Sequence, residues 1–418
     1  MRSPRVLLIV LSVILLAEYY SFIVVRSAVR SFPNAWRIGL LTFYVLVTTL
    51  AWVSIFFFRR IDWAHVPHLL RNIYIAFTIG FFVGKLFVLL IMLIDDARRL
   101  VMWLIHFFVP AANTTTTSFI EKGMSRSTFL RQVALLVGGT MLGGFIYGVS
   151  NRYKYRVRRV QLKLDKLPAA FKGLKIVQVS DIHTGSFDNH HAVAHGIQKV
   201  LDEKADIIFF TGDLVNNHTE EVDKQYQQLY AQLKAPLGVY SILGNHDYGD
   251  YAQWPSDAAK KKNLQDLKDM QAAMGWRMLN NENVVLERNG DKIAIIGVEN
   301  WSAKANFPKY GDMAKAYTGL DSSIPVKILL SHDPSHWDAQ VTTGYPDVQL
   351  TLSGHTHGMQ FGIEIPGFKW SPVKYMYKNW AGLYKQGEQY LYVNRGFGFL
   401  GYPGRLGILP EITVIELV

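Results

Sequence analysis

The chain has 418 residues, half of them hydrophobic, no cysteine, and a formal net charge of +11. Without cysteine there is no disulfide framework, no zinc–thiolate site and no thiol nucleophile. The charge is placed against a nucleic-acid enzyme: residues 1–150 carry 14 Lys and Arg against 5 Asp and Glu, while residues 164–418 carry 24 against 28.

Val6–Val25, Ile38–Phe58 and Ile73–Ile94 are almost wholly apolar, each of about 20 residues, the length that crosses a bilayer core as a helix. Flanking basic residues hold such spans in place. A weaker fourth segment, Val133–Val149, is rich in glycine, which suits close helix packing. Leu100–Val109 is too short to span and is expected at the interface or re-entering. Glu18 and Lys85 interrupt two spans. They form an intramembrane ion pair or a substrate contact, or they snorkel to the interface.

These segments define a transmembrane region over 1–150 with about four helices (6–25, 38–58, 73–94, 133–149). A basic juxtamembrane linker over 151–163 and a soluble domain over 160–418 follow. The basic run Tyr153–Arg159 places the soluble domain in the cytoplasm by the positive-inside rule. Ser125–Arg131 is a contrary signal. It resembles a twin-arginine export signal in which Ser127 replaces the second arginine.

In the soluble part, Val160–Leu164, Leu174–Ser180, Asp206–Thr211 and Gly238–Leu243 are expected as strands. His190–Lys204, Glu220–Leu233 and Ala258–Met274 are expected as helices between them. Val284–Glu287, Ile293–Val298, Val326–Ser331, Val348–Leu352, Tyr390–Asn394 and Glu411–Leu417 complete the strands. Strands alternating with helices, then mostly strands, indicate a layered α/β sandwich.

Polar motifs punctuate the strand ends: Asp181-Ile182-His183, Gly212-Asp213, Gly244-Asn245-His246-Asp247, Ser331-His332-Asp333 and Gly354-His355-Thr356-His357-Gly358. A ligand directly after an apolar strand lies at the sheet's C-terminal rim, where several such ligands meet. Imidazole, carboxylate and amide oxygen without thiolate suit Mn, Fe or Zn, with Mg as a further option. Seven such groups are too many for one ion and fit two.

In this order the motifs resemble the calcineurin-like metallophosphoesterase superfamily. Gly354–Gln360, Tyr392–Gly398, Arg405 and Pro410–Ile412 are similar to its membrane-linked bacterial branch, and the likeness covers about Val160–Val418. The resemblance implies an α/β (α+β) fold, with N-terminal transmembrane helices followed by a four-layer α-β-β-α sandwich. It implies that Asp181, His183 and His357 bind one divalent metal, that Asp213 bridges two, and that Asn245, His332 and His355 bind the second. His246 would stand beside the phosphate as acid or electrostatic stabiliser, with Asp247 orienting it through a hydrogen bond. Met359 replaces the glycine common in that branch and narrows the loop.

Arg395 and Arg405 either grip a substrate phosphate or form structural ion pairs. His190, His191, His195, His218 and His336 are expected to be surface or structural. Lys369–Trp380 mixes lysine with aromatics and is expected to be either a lid touching bilayer or lipid substrate, or an ordinary aromatic loop.

The function implied is a binuclear phosphoesterase of the inner (cytoplasmic) membrane. Its phosphorylated substrate is expected to be lipid-linked, such as UDP-2,3-diacylglucosamine of lipid A biosynthesis, with membrane lipid as a further partner and no nucleic acid. Alternatives are a general phosphodiesterase or phosphatase of envelope substrates, a non-catalytic membrane sensor on the same fold, and a transporter. Four spans with few internal charges make a poor transport path.

Overall fold

Long apolar runs free of proline form long helices. The computed structural model describes residues 4–57, 60, 66–108, 126–304 and 307–418. It has two units, Met1–Tyr147 and Gly148–Val418. The first is built from α1 (Pro4–Ala28), α2 (Asn34–Phe57), α3 (His68–Phe108) and α4 (Arg126–Gly148). Among the described residues, these four are long and apolar enough to cross a membrane.

Two sequence expectations change here. Leu100–Phe108 is not a separate interfacial segment but the end of α3, which runs 41 residues without a break. The charges between the two segments pair one turn apart, Arg98 with Asp95 at 2.8 Å and Arg99 with Asp96 at 3.5 Å, so the helix continues through them. Phe58 and Val109, at the ends of two expected segments, lie outside the described residues. Glu18 and Lys85 do not snorkel. Lys85 Nζ lies 2.6 and 2.8 Å from the Glu18 oxygens and 3.2 Å from Thr48 Oγ1, while Trp52 Nε1 donates to Glu18 at 2.9 Å. The ion pair therefore joins α1, α2 and α3. A Cβ on Gly84 would stand 2.7 Å from the Gly138 carbonyl oxygen, so α3 and α4 touch backbone to backbone there.

The second unit holds fourteen named strands among its described residues. β1 (Arg156–Leu162), β2 (Lys175–Val179), β3 (Ile207–Phe210), β4 (Val239–Ser241) and β5 (Trp276–Met278) come first. β6 (Glu282–Arg288), β7 (Asp291–Gly297), β8 (Lys327–Leu330) and β9 (Leu350–Ser353) follow. β10 (Ile363–Ile365), β11 (Phe368–Trp370), β12 (Gly382–Gln386), β13 (Gln389–Val393) and β14 (Glu411–Leu417) complete them. One six-stranded sheet has the order β1-β14-β2-β3-β4-β5 and the other β12-β13-β9-β8-β7-β6, with β10-β11 as a separate hairpin.

The two-residue period of a strand sorts its side chains between layers. Ile176, Ile207 and Phe209 meet Ile293, Ile295 and Ile328 between the sheets. Their neighbours Val177, Ile208 and Phe210 face the opposite way, onto Val193, Ile197 and Leu267 of α5 (His190–Asp202) and α7 (Asp257–Ala273). Beyond the second sheet, Ile296, Leu329 and Leu391 pack on Trp337 and Val341 of a short helical segment. The architecture is thus an α-β-β-α sandwich.

The basic stretch 151–163, expected as a linker, instead contains β1. Residues Arg156–Leu162 pair in parallel with Glu411–Leu417 because β14 offers an edge that an alternating strand can cover. The helix expected over Glu220–Leu233 is split. Asp223 caps a shorter helix, α6 (Lys224–Tyr230), by accepting from the Tyr226 N–H.

Candidate metal centre

Strands β2, β3 and β4 are mutually parallel, as are β8 and β9. Each is followed at its C-terminal end by one of the motif residues Asp181, Asp213, Asn245, His332 or His355, and the turn after His355 supplies His357. Donor atoms of Asp181, His183 and His357 lie within 4.8 Å of one another, as do those of Asp213, His332 and His355. Asp213 stands between the groups, with Oδ2 3.5 Å from His183 Nε2 and 3.1 Å from His332 Nε2. Asn245 Oδ1 completes the second group, 2.7 Å from His355 Nδ1.

This donor set fits two divalent cations on a direct test. The Nε2 atoms of His183 and His357 are buried with no hydrogen-bond partner, a costly state unless something else takes their lone pairs. The opposite nitrogens are committed. His332 Nδ1 donates to the Thr211 carbonyl at 2.7 Å, and His183 Nδ1 meets Asn216 Oδ1 at 3.1 Å.

The charges agree. Burial pushes the Asp181 carboxyl up to about 7 and the His183 imidazole down to about 3. Burial, the His183 ring and Arg405 hold His357 well below its usual range. Burial also opposes protonation of His332, but Asp213 and Asp181 outweigh it and raise that ring to about 10. In turn, burial opposes ionisation of Asp213, but His332 and His246 hold it well below the usual carboxylate range. Two carboxylates that draw a proton onto a buried imidazole mark a site built around positive charge.

The backbone here is strained. Asp181, His183, Asp213, His355 and His357 all have φ between 50° and 70°, five of the ten non-glycine residues with positive φ among those described. Such a conformation costs about 1–3 kcal/mol per residue and persists only where surroundings enforce it. Asp247 is one enforcer. Its carboxylate accepts N–H bonds from Asp213 (2.9 Å), Leu214 (2.8 Å), Val215 (3.3 Å) and Gly244 (2.8 Å).

The expectation that Asp247 orients His246 is therefore corrected. The carboxylate is consumed by backbone, and the His246 ring is held instead by the Asn216 carbonyl, 2.8 Å from Nδ1. The ring also lies 4.6 Å from that of Tyr251 and 5.0 Å from that of His183.

Arg395 and Arg405 are both held by partners within the protein. Arg395 is buried, bonded to Glu411 at 2.5 Å and Glu364 at 2.6 Å. Arg405 is buried behind His357 and donates to the carbonyls of His357, Arg395, Gly396 and Gly398. Glu411 also accepts from Tyr392 Oη at 2.6 Å and Thr413 Oγ1 at 2.7 Å. Burial opposes its ionisation, but Arg395 and these hydroxyls outweigh that and hold it below the usual range. A depressed carboxyl contributes stability above its unfolded value, near 4.5, and loses it as pH falls through the folded value. Acidification below pH ~4.5 should lower the melting temperature of the wild type more steeply than that of Glu411→Gln, as thermal unfolding will read.

Of the other histidines, His336 is structural as expected, with Nδ1 2.8 Å from Ser331 Oγ and Nε2 2.7 Å from Gln340 Oε1. Several partners of the site were not anticipated. Tyr377, from the lysine-aromatic segment, places its hydroxyl 2.8 Å from His355 Nε2 and donates to Asp333 Oδ2 at 3.1 Å. Tyr251 Oη accepts from Asn245 Nδ2 at 3.0 Å. A lone tyrosine in an irregular loop carries no spacing signal. Partners of this kind orient ligands, and losing one typically costs 10–100-fold in affinity. Tyr377→Phe should weaken the second of two Mn²⁺ equivalents by roughly tenfold or more in a titration of metal-stripped protein.

Comparisons with known proteins agree with this geometry. Residues 3–152 match a family described as a probable calcineurin-like phosphoesterase transmembrane domain. Residues 174–359 match the calcineurin-like phosphoesterase family. The chain is 32% identical to the Bacillus subtilis metallophosphoesterase YkuE over 71% of this chain and 98% of that protein. It is 30% identical to a zebrafish (Danio rerio) transmembrane protein with metallophosphoesterase domain, over 71% of this chain and 65% of the relative. UDP-2,3-diacylglucosamine pyrophosphatase LpxG of Chlamydia muridarum is 26% identical over 58% of this chain and 83% of its own length. A phosphoester hydrolase domain behind membrane-spanning helices, with its acidic and imidazole donors gathered where strand ends of both sheets meet, makes this chain a member of the calcineurin-like metallophosphoesterases.

Proposed function

We propose that the chain hydrolyses a phosphate ester or pyrophosphate bond of a lipid-linked substrate at the inner membrane, with its catalytic domain in the cytoplasm. The observation that carries the reaction is the convergence of Asp181, His183, Asp213, Asn245, His332, His355 and His357, with the Nε2 atoms of His183 and His357 buried and lacking a hydrogen-bond partner. Two divalent cations held there would supply Lewis acidity toward phosphoryl oxygens and water.

The chain's own residues do the rest. Asp213, between the two groups, would hold both ions at one spacing. The Asn216 carbonyl accepts from His246 Nδ1–H, leaving Nε2 as the nitrogen that exchanges a proton with the departing oxygen. The Asp213 carboxylate also accepts the His246 backbone N–H at 2.8 Å, so acid and ligand are fixed to each other.

Two features support a lipid-linked substrate. One is the likeness to LpxG, a UDP-2,3-diacylglucosamine pyrophosphatase. The other is the segment that delivers Tyr377 to the site. Val373, Tyr377, Trp380 and Ile408 give it a small core of its own, and Tyr375 and Met376 stand exposed at 76% and 57%. Lys304, Lys374 and Lys378 line the same surface. Exposed aromatic and basic side chains together suit a membrane interface.

The test compares UDP-2,3-diacylglucosamine with bis-p-nitrophenyl phosphate, using full-length protein with Mn²⁺. The lipid substrate should be preferred. Tyr375→Ser with Met376→Ser should remove that preference while leaving the soluble substrate's turnover intact. Equal turnover of both substrates by the wild type would favour a general envelope phosphodiesterase instead.

A further inference from the structure

We propose that the transmembrane unit carries a second binding site, separate from the metal centre, for the phosphate-bearing headgroup of an anionic lipid. It lies where α1 ends and where α2 and α4 begin. Arg30 and Arg131 line two adjoining cavities there, of about 450 and 670 Å³, and Arg26 and Arg37 join them in the larger one. Among the described residues, no carboxylate pairs with any of the four guanidinium groups.

Four arginines with no carboxylate partner among the described residues repel one another, and their planar forks match phosphate oxygens two at a time. Arg131 shows the unmet demand most directly. Its Nη1 reaches Ser27 Oγ only at 3.4 Å, and its Nε is buried with no hydrogen-bond partner. The N-termini of α2 and α4, 24 and 23 residues long, add partial positive charge at the same end, of which the C-terminus of α1 offsets a part.

The walls select a lipid over a free anion. Ile23, Ile38 and Leu41 continue the larger cavity along helices of membrane-crossing composition, giving acyl chains an apolar surface below the charged mouth. Basic pockets between membrane helices are the usual receptors for phosphorylated headgroups. The site also gives the Arg126–Arg131 motif a role in the folded protein. Ser127 Oγ donates to Asp95 at 2.9 Å, tying α4 to α3, and Arg131 faces the cavities.

The experiment uses full-length, metal-stripped protein in phosphatidylcholine nanodiscs containing phosphatidylglycerol, so its result does not depend on the hydrolase reading. Native mass spectrometry of the released protein should show phosphatidylglycerol retained over phosphatidylcholine. Arg30→Gln with Arg131→Gln should reduce that retention roughly tenfold or more. Arg30→Gln alone, at an exposed position, should reduce it by a smaller factor. Unchanged hydrolysis of bis-p-nitrophenyl phosphate by the remetallated variants confirms that they fold. Equal phosphatidylglycerol retention by wild type and double variant would overturn the proposal. So would saturable binding of inorganic pyrophosphate without any lipid preference, which would make the pocket a free-anion site.

Discussion

Asp213→Asn should lower the hydrolysis of bis-p-nitrophenyl phosphate by about a thousandfold or more, equivalent to roughly 4 kcal/mol of transition-state stabilisation. Asp213 Oδ2 is the atom that lies near both buried imidazoles, 3.5 Å from His183 Nε2 and 3.1 Å from His332 Nε2. Asparagine keeps the shape, and its amide oxygen can still accept the His246 N–H. It removes the negative charge shared by the two donor groups. Metal analysis of the purified variant should therefore fall from two ions per chain toward one. His246→Ala gives the contrast: both ions retained, and turnover reduced by roughly 10²–10⁴-fold through loss of the proton donor. Wild-type turnover in Asp213→Asn would sink the assignment of Asp213 as the shared ligand.

Asp247→Ala should have the largest effect on stability. Its carboxylate accepts four backbone N–H bonds at zero exposure. An unsatisfied buried donor costs about 1–3 kcal/mol, so four of them, partly relaxed, should cost on the order of 4 kcal/mol. That is a large share of a domain's total stability of about 5–15 kcal/mol. A fall in melting temperature of roughly 10 °C follows. Asp247→Asn should be little better, because its amide nitrogen would face backbone donors. A melting temperature within a degree of wild type would show that these N–H groups find other partners. Binding of both metals should weaken as well, since the released turn carries Asp213 at φ 62°.

The strands and the candidate donor residues that they bring together were largely legible in the sequence, and for one reason. Ile207–Phe210 is an uninterrupted apolar run, and Leu350–Leu352 is broken only by Thr351; each is followed two residues later by a glycine and then by Asp213 or His355, and burial on both faces favours that pattern. Asp213 and His355 could be found because they follow such runs directly. Tyr377, Tyr251 and Asn216 could not, since each reaches the site from a loop whose path is set by distant packing. Arg395 and Arg405 show the converse. Their chemistry suits phosphate, but Glu411, Glu364 and four carbonyls claim them first, and only the three-dimensional arrangement shows that. The basic run Arg156–Arg159 was misread as linker because charge dominates it. Its alternating partners, Val157 and Val160, pack on the two sides of the sheet.

The pairing of β1 with β14 has a consequence for how the protein is made. Partners in that ladder are 255 positions apart in the chain, Arg156 opposite Glu411, and β14 lies between β1 and β2. As the ribosome extends the chain, β1 emerges just after the last membrane helix and β2 soon follows, but the slot between them stays vacant until the last of these strands arrives. Until then the edges of β1 and β2 that β14 covers in the folded domain have no partner strand. A premature stop shortly before Glu411 would leave every proposed metal ligand encoded and yet deliver a chain that quality control should remove.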